Sequence, residues 1–124
     1  MIISGGFAIV RKCKDKTTKE FYALKIINKK NLDKAGLTLL DREVNIMRQV
    51  THENIVKLHN VFDSRTKMCL VLDLLEGGEL FDRIIEQGHF SENNAAHCFG
   101  QLVTALNYLH QKQIVHRDLK VSKK

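Results

Sequence analysis

Four short stretches of this sequence hold residue types that could handle phosphate and move a proton. Lys25 sits in Phe21-Tyr22-Ala23-Leu24-Lys25-Ile26-Ile27, a stretch of strand composition. Alternation puts it on one face with Phe21, Ala23 and Ile27, and puts Tyr22, Leu24 and Ile26 on the other. An ammonium among apolar neighbours is costly unless a carboxylate meets it. Glu43 lies beside an apolar helical stripe, with Leu40 and Met47 one turn to either side, so it could reach a partner outside its own helix. Gly5-Gly6 near the start could bring backbone N–H groups against phosphate oxygens with no side chain between, and is equally an ordinary turn. His116-Arg117-Asp118-Leu119-Lys120 near the end sets an aspartate between two cationic side chains. Each of these is common alone; their order along one chain carries the weight.

The elements that must position them are legible from periodicity. After the opening apolar-glycine stretch come a polar turn at Thr17-Thr18-Lys19-Glu20 and the strand containing Lys25. Leu37, Leu40, Val44, Met47 and Val50 recur at three and four, which predicts a helix over about 35–50. Two short strands are expected near 57–62 and 68–73. Gly77-Gly78 interrupts the chain, and a short helix follows over 79–85. A longer helix is expected over about 92–111 with Ser91 as its N-cap. Ala95, Cys98, Phe99, Leu102, Ala105, Leu106 and Leu109 would form its apolar face. The fold class is therefore α+β, with a strand-rich unit over 1–75 and a helical unit over 76–124.

Composition narrows the function classes. With 124 residues, 44% hydrophobic and 27% charged, the chain has the make-up of a globular protein and no run long enough to span a membrane. The charge of +6 is carried entirely by residues 1–34, where Arg11, Lys12, Lys14, Lys16, Lys19, Lys25, Lys29, Lys30 and Lys34 face only Asp15, Glu20 and Asp33. Such an end attracts polyanions, but no aromatic residues interleave with the basic ones along the chain, so nucleic acid is not expected as partner, and the lack of a long apolar run argues against a membrane. Cys13, Cys69 and Cys98 are widely spaced, with no CxxC and no His at ligand spacing, which argues against zinc and for reduced thiols in the cytosol or nucleus. Proline is absent where about 5% is usual.

Taken in order, the motifs resemble those of the eukaryotic protein kinases. Ser4-Gly5-Gly6-Phe7-Ala8-Ile9-Val10 is similar to the later part of the glycine-rich loop, Ala23-Leu24-Lys25 to the third strand with its lysine, and Arg42-Glu43-Val44 to helix C with its glutamate. His52-Glu53-Asn54-Ile55-Val56-Lys57-Leu58 resembles the approach to the fourth strand, and Leu72-Asp73-Leu74-Leu75-Glu76-Gly77-Gly78-Glu79-Leu80-Phe81-Asp82 the hinge and the helix after it. His116 to Lys120 resembles the start of the catalytic loop, and Lys120 marks its serine/threonine form. The Gly-Gly-Glu-Leu-Phe-Asp run and Phe7-Ala8-Ile9-Val10-Arg11-Lys12-Cys13 look like the calcium/calmodulin-dependent and death-associated group.

The resemblance implies a small lobe, made of an antiparallel sheet and helix C, followed by the first part of a helical large lobe. It implies ATP as cofactor, with Gly5 and Gly6 at the phosphates and Lys25 neutralising them, oriented by Glu43. Val10 and Ala23 would sandwich the adenine, with Leu72 as gatekeeper. The Asp73 C=O and Leu75 N–H would meet the adenine edge, and Glu79 the ribose or an arginine of the peptide. Asp118 would orient the substrate hydroxyl and accept its proton, with Lys120 steadying the phosphoryl group. Met47, Leu58 and His116 match packing positions between helix C and the loop. Implied partners are proteins phosphorylated on Ser or Thr, with basic residues near the site, and calmodulin as regulator of the full-length protein.

Departures from the pattern are equally specific. Ile3 and Ala8 stand where the family has its first and third glycines, and a β-branched residue restricts the turn that should begin there. After Lys120 the family continues Pro-Glu-Asn; this chain has Val121-Ser122-Lys123-Lys124. Magnesium is expected with the family's ATP, but Lys123 replaces the asparagine that ligates it, and no Asp-Phe-Gly occurs. The expectation is a kinase domain truncated after the start of its catalytic loop, inactive as these residues stand. The apolar face over 92–111 is expected to lack its usual cover, leaving the first 75 residues as the more autonomous unit.

Overall fold

The computed structural model describes residues 8–78 and 80–115. The chain divides into two compact units, Met1–Leu74 and Leu75–Lys124.

The first unit is built on a hairpin. Strand β1 (Ala8–Lys14) pairs antiparallel with β2 (Phe21–Asn28). Asp15 closes the connection: its Oδ1 accepts the backbone N–H groups of Thr17 and Thr18 at 2.7 and 2.9 Å. The left-handed φ of 64° at Lys19 then turns the chain back. These backbone bonds hold the exposed Asp15 carboxyl below its usual range.

A short 3-10 turn (Lys29–Asn31) leads to helix α1 (Lys34–Gln49), where the Asp33 side chain caps the N-terminus by accepting Gly36 N–H at 2.7 Å. Strands β3 (Leu58–Asp63) and β4 (Lys67–Asp73) complete an antiparallel sheet of order β1-β2-β4-β3 among the described residues. Lys29 Nζ ties the start of the helical connection to the far edge strand through Asp63 Oδ1 at 2.8 Å and the Ser64 carbonyl at 3.1 Å.

The expected alternation in β2 is present. Lys25 and Ile27 are its buried members, and their cross-strand partners Leu70 and Met68 are buried too. Against this face α1 lays Leu40 and Val44, so the core is Ile27, Leu40, Val44, Leu58, Met68, Leu70 and Leu72, with Met47 partly buried beside it. The helix therefore forms where its apolar period of 3.6 meets the sheet's period of 2.

In the second unit α2 (Leu80–Glu86) is followed by α3 (Glu92–Gln111). Ser91 caps α3 as its sequence predicts, its Oγ accepting Asn94 N–H at 3.2 Å. At the far end Gln113 takes φ 60°, and Ile114 N–H returns to the Leu109 carbonyl at 2.9 Å. Of the expected apolar face of α3 only Ala105 is buried, whereas Phe99 is 66% exposed.

Candidate nucleotide site

The site in the first unit begins with Lys25. It occupies β2, which has a paired strand on each side: Val10 of β1 is its partner on one side and Leu70 of β4 on the other. Two ladders fix its backbone, and burial leaves it 8% exposed. It is the buried charged residue of the described chain, and no buried side-chain nitrogen or oxygen there lacks a hydrogen-bond partner. Glu43 is half-buried on α1, next to Val44 and one turn from Leu40, both of which pack on the face that carries Lys25. Sequence placed both charges at the edge of apolar surface, and the fold puts them on the two elements that enclose the same core.

Cross-strand register then supplies the apolar wall. Ala23 pairs with Leu72, one step along the face from the Val10–Lys25–Leu70 row. Leu72 is buried, Ala23 is half-buried against the core, and Val10 is 62% exposed. The result is an open ledge of small or branched side chains beside a buried cation. Such a surface suits a flat apolar group joined to an anion: the ring covers the ledge while the anion neutralises the ammonium.

Asp73 ends β4 with its carboxylate fully engaged. Its Oδ2 accepts Lys57 N–H at 2.8 Å, its Oδ1 lies 2.6 Å from His59 Nε2, and its own N–H donates to the Lys57 carbonyl at 3.1 Å. The Tyr22 ring meets His59 edge-on at 4.9 Å, and Tyr22 O–H donates to Glu20 Oε2 at 2.8 Å, which pushes the phenol up. Partial burial raises the Asp73 carboxyl, but the bonds from His59 and Lys57 outweigh it, and the group is held below the usual carboxylate range. This brace on the last strand residue was not legible in the sequence, because Asp73 and His59 are 14 residues apart and no local pattern joins them.

A depressed carboxylate stabilises the fold above its unfolded pKa, and that contribution is lost as pH falls through the folded value. The first unit is therefore expected to lose stability as pH drops below about 4, and Asp73→Asn should flatten that acid dependence. Chemical denaturation over a pH series checks it; parallel curves for both proteins would show that the brace has no such effect.

In the second unit Gly77 and Gly78 adopt φ of 109° and 79°, conformations that L side chains rarely enter, and Arg83 Nε donates to the Gly77 carbonyl at 3.1 Å. Leu75 is 73% exposed. Gly5, Gly6, Glu79, His116, Asp118 and Lys120 lie outside the described residues. Among the described residues no group of three His, Cys, Asp or Glu side chains could hold a metal, and no helix is long and apolar enough to cross a membrane.

Comparison with known proteins agrees with this geometry. The protein kinase domain matches residues 2–123. Myosin light chain kinase A of Dictyostelium discoideum is 47% identical over 116 residues, covering 94% of this chain and 39% of that protein. Human calcium/calmodulin-dependent protein kinase type IV is 46% identical over 116 residues, 94% of this chain and 24% of the relative. Human death-associated protein kinase 2 is 44% identical over 121 residues, 94% and 33% respectively. The chain thus spans well under half the length of these relatives. A four-stranded antiparallel sheet, a helix on the face that buries Lys25, and a match running almost from end to end together place this chain in the protein kinase family, where it resembles serine/threonine kinases of the calcium/calmodulin-dependent and death-associated type.

Proposed function

We propose that this chain is the ATP-holding part of a protein serine/threonine kinase, and that its 124 residues alone bind nucleotide without transferring phosphate. The observation that carries the reading is the buried Lys25 beside the open ledge of Val10, Ala23 and Leu72. ATP supplies the transferable phosphoryl group. Lys25 neutralises its phosphates, and Glu43 orients that lysine from α1. Gly5 and Gly6 offer backbone N–H groups to the phosphates, while Val10 and Ala23 enclose the base next to Leu72. The Asp73 carbonyl and Leu75 N–H hold the base edge, and Glu79 meets the ribose or an arginine of the peptide. Asp118 positions a Ser or Thr hydroxyl and takes its proton, and Lys120 steadies the group in transit. In the whole protein the substrates would be proteins with basic residues near the acceptor, and calmodulin would be the regulator. The basic substrate follows from Glu79 at its motif position, and calmodulin from the likeness to calcium/calmodulin-dependent protein kinase type IV.

The donor set for magnesium does not fit. Lys123 stands where the family's asparagine binds the ion, and a fixed cation there repels a divalent one. Transfer depends on holding metal and base together against the terminal phosphate, so the expected outcome is saturable binding of a fluorescent ATP analogue and no turnover. A radiolabelled transfer assay with magnesium and a serine peptide decides between them. Turnover abolished by Asp118→Asn would overturn the second half of the proposal, and absence of nucleotide binding in a folded chain would overturn the first.

A further inference from the structure

We infer that the Asp73 side chain is a positioning residue for the base. It takes the place of its own backbone carbonyl in the sheet, and so releases that carbonyl to accept a hydrogen bond from the exocyclic amine of adenine. This assignment rests on the nucleotide reading of the same site and goes beyond it, because it gives the carboxylate a part in choosing the base.

Leu58 pairs with Leu72, so Lys57, just before β3, stands opposite Asp73 at the end of β4. The Asp73 N–H donates to the Lys57 carbonyl at 3.1 Å. Facing residues of this kind in an antiparallel ladder exchange two backbone bonds, and the return bond would run from Lys57 N–H to the Asp73 carbonyl. Here it goes to the side chain: Lys57 N–H donates to Asp73 Oδ2 at 2.8 Å. On the other side Tyr22 faces Asp73 from β2. Ladder bonds alternate from side to side, so a residue whose N–H is committed to the β3 side meets β2 as a non-hydrogen-bonded pair. Alternation therefore leaves the carbonyl without a ladder donor.

Charge favours the exchange, since a carboxylate is a stronger acceptor than a neutral carbonyl. The carboxylate is also held from a second direction. Its Oδ1 lies 2.6 Å from His59 Nε2, and the His59 ring is backed edge-on by Tyr22 at 4.9 Å between centroids. Returning Lys57 N–H to the carbonyl would disturb both contacts of the carboxylate. The released carbonyl belongs to the residue directly after Leu72, which lines the ledge with Ala23 and Val10. An acceptor at the edge of an apolar ledge matches an N–H donor on the rim of a flat ring, as adenine carries in its 6-amino group. A purine without that group leaves the carbonyl unpaired, and a site of this kind selects against it.

The test is displacement of a fluorescent ATP analogue from the full 124-residue chain by ATP and by purine riboside triphosphate, which differs from ATP only in lacking the 6-amino group. The parent chain is expected to prefer ATP by about tenfold, the effect of one hydrogen bond. In Asp73→Ala the side-chain acceptor is gone, Lys57 N–H turns to the backbone carbonyl, and the preference should fall to about twofold or less. Asp73→Asn keeps an oxygen for Lys57 N–H and should hold the preference within about threefold of the parent. A merely structural role would weaken both nucleotides together and leave their ratio unchanged. A second readout needs no nucleotide. Scalar coupling across the hydrogen bond, measured by NMR, should join the Lys57 amide nitrogen to the backbone carbonyl carbon at position 73 in Asp73→Ala and not in the parent. If Asp73→Ala impairs folding, as read by circular dichroism, Asp73→Leu takes its place, since it keeps bulk and still lacks an acceptor. Equal affinity of the parent for the two nucleotides, an unchanged ratio in the folded variant, or coupling to that carbonyl in the parent overturns the inference while nucleotide binding stands. Binding of neither nucleotide by the parent overturns the nucleotide reading, and this inference falls with it.

Discussion

Leu70→Ala is expected to remove most or all of the stability of the first unit. Leu70 is 1% exposed and lies on β4, the strand that pairs with both β2 and β3. Its neighbours come from both layers: Ile27 in the sheet and Leu40 and Val44 on α1 belong to the same cluster. Truncation loses the transfer energy of the deleted methyl groups and leaves a cavity that strands held on both sides cannot close, at about 3–5 kcal/mol. A small domain holds only about 5 kcal/mol in total at the low end, so the cost is of the same order as everything that keeps it folded. Urea unfolding followed by circular dichroism measures the change. Leu75→Ala, at a side chain 73% exposed, should alter the unfolding free energy by less than about 0.5 kcal/mol. A loss under about 1 kcal/mol for Leu70→Ala would mean that the core can rearrange around the void.

The second large effect separates binding from folding. Lys25→Met keeps the length of an unbranched side chain in a buried position but removes its charge. Nucleotide phosphates then lose a charge-assisted partner, a loss of about 1.5–3 kcal/mol, or roughly tenfold to a hundredfold in affinity. Stability should move less, because methionine fills the same apolar space and Glu43 is only half-buried, so water can reach the carboxylate that the proposal pairs with Lys25. Titration with a fluorescent ATP analogue, paired with a urea midpoint, reads both quantities on the same sample. Affinity within twofold of the parent chain would sink the assignment of Lys25 to the phosphates. A midpoint that collapses with the affinity would instead identify this lysine as a structural group.

Lys25 and Glu43 stand out in the sequence for the same reason: each is a charge inside a periodic apolar pattern, and periodicity is local. The α1 stripe was readable on that basis, and Leu40, Val44 and the C-cap residue Val50 are the members that end up buried. The Ser91 cap was readable because its bond spans only three residues. Periodicity does not say what covers a face. The stripe on α3 is as regular as that on α1, yet Phe99 and Leu102 are exposed and only Ala105 is buried. Contacts between distant strands were invisible for a different reason. The His59–Asp73 brace and the placing of Lys12 and Lys14 around the Phe21 ring depend on which residues register brings opposite one another, and register is set by the whole sheet.

That register gives the first unit a rule of parity. With Lys25 locked between two antiparallel neighbours, inserting or deleting one residue within β2 upstream of it would exchange the two faces of that stretch. The lysine would be carried to the opposite side and Leu24 or Ile26 set against the helix, whereas a change of two residues restores the side while shifting the row. The turn at Lys16–Lys19 lies outside both ladders, so length changes there leave the parity of β2 untouched. Among homologous kinases, length variation is therefore expected to gather in that turn and to be purged from the residues between it and the lysine.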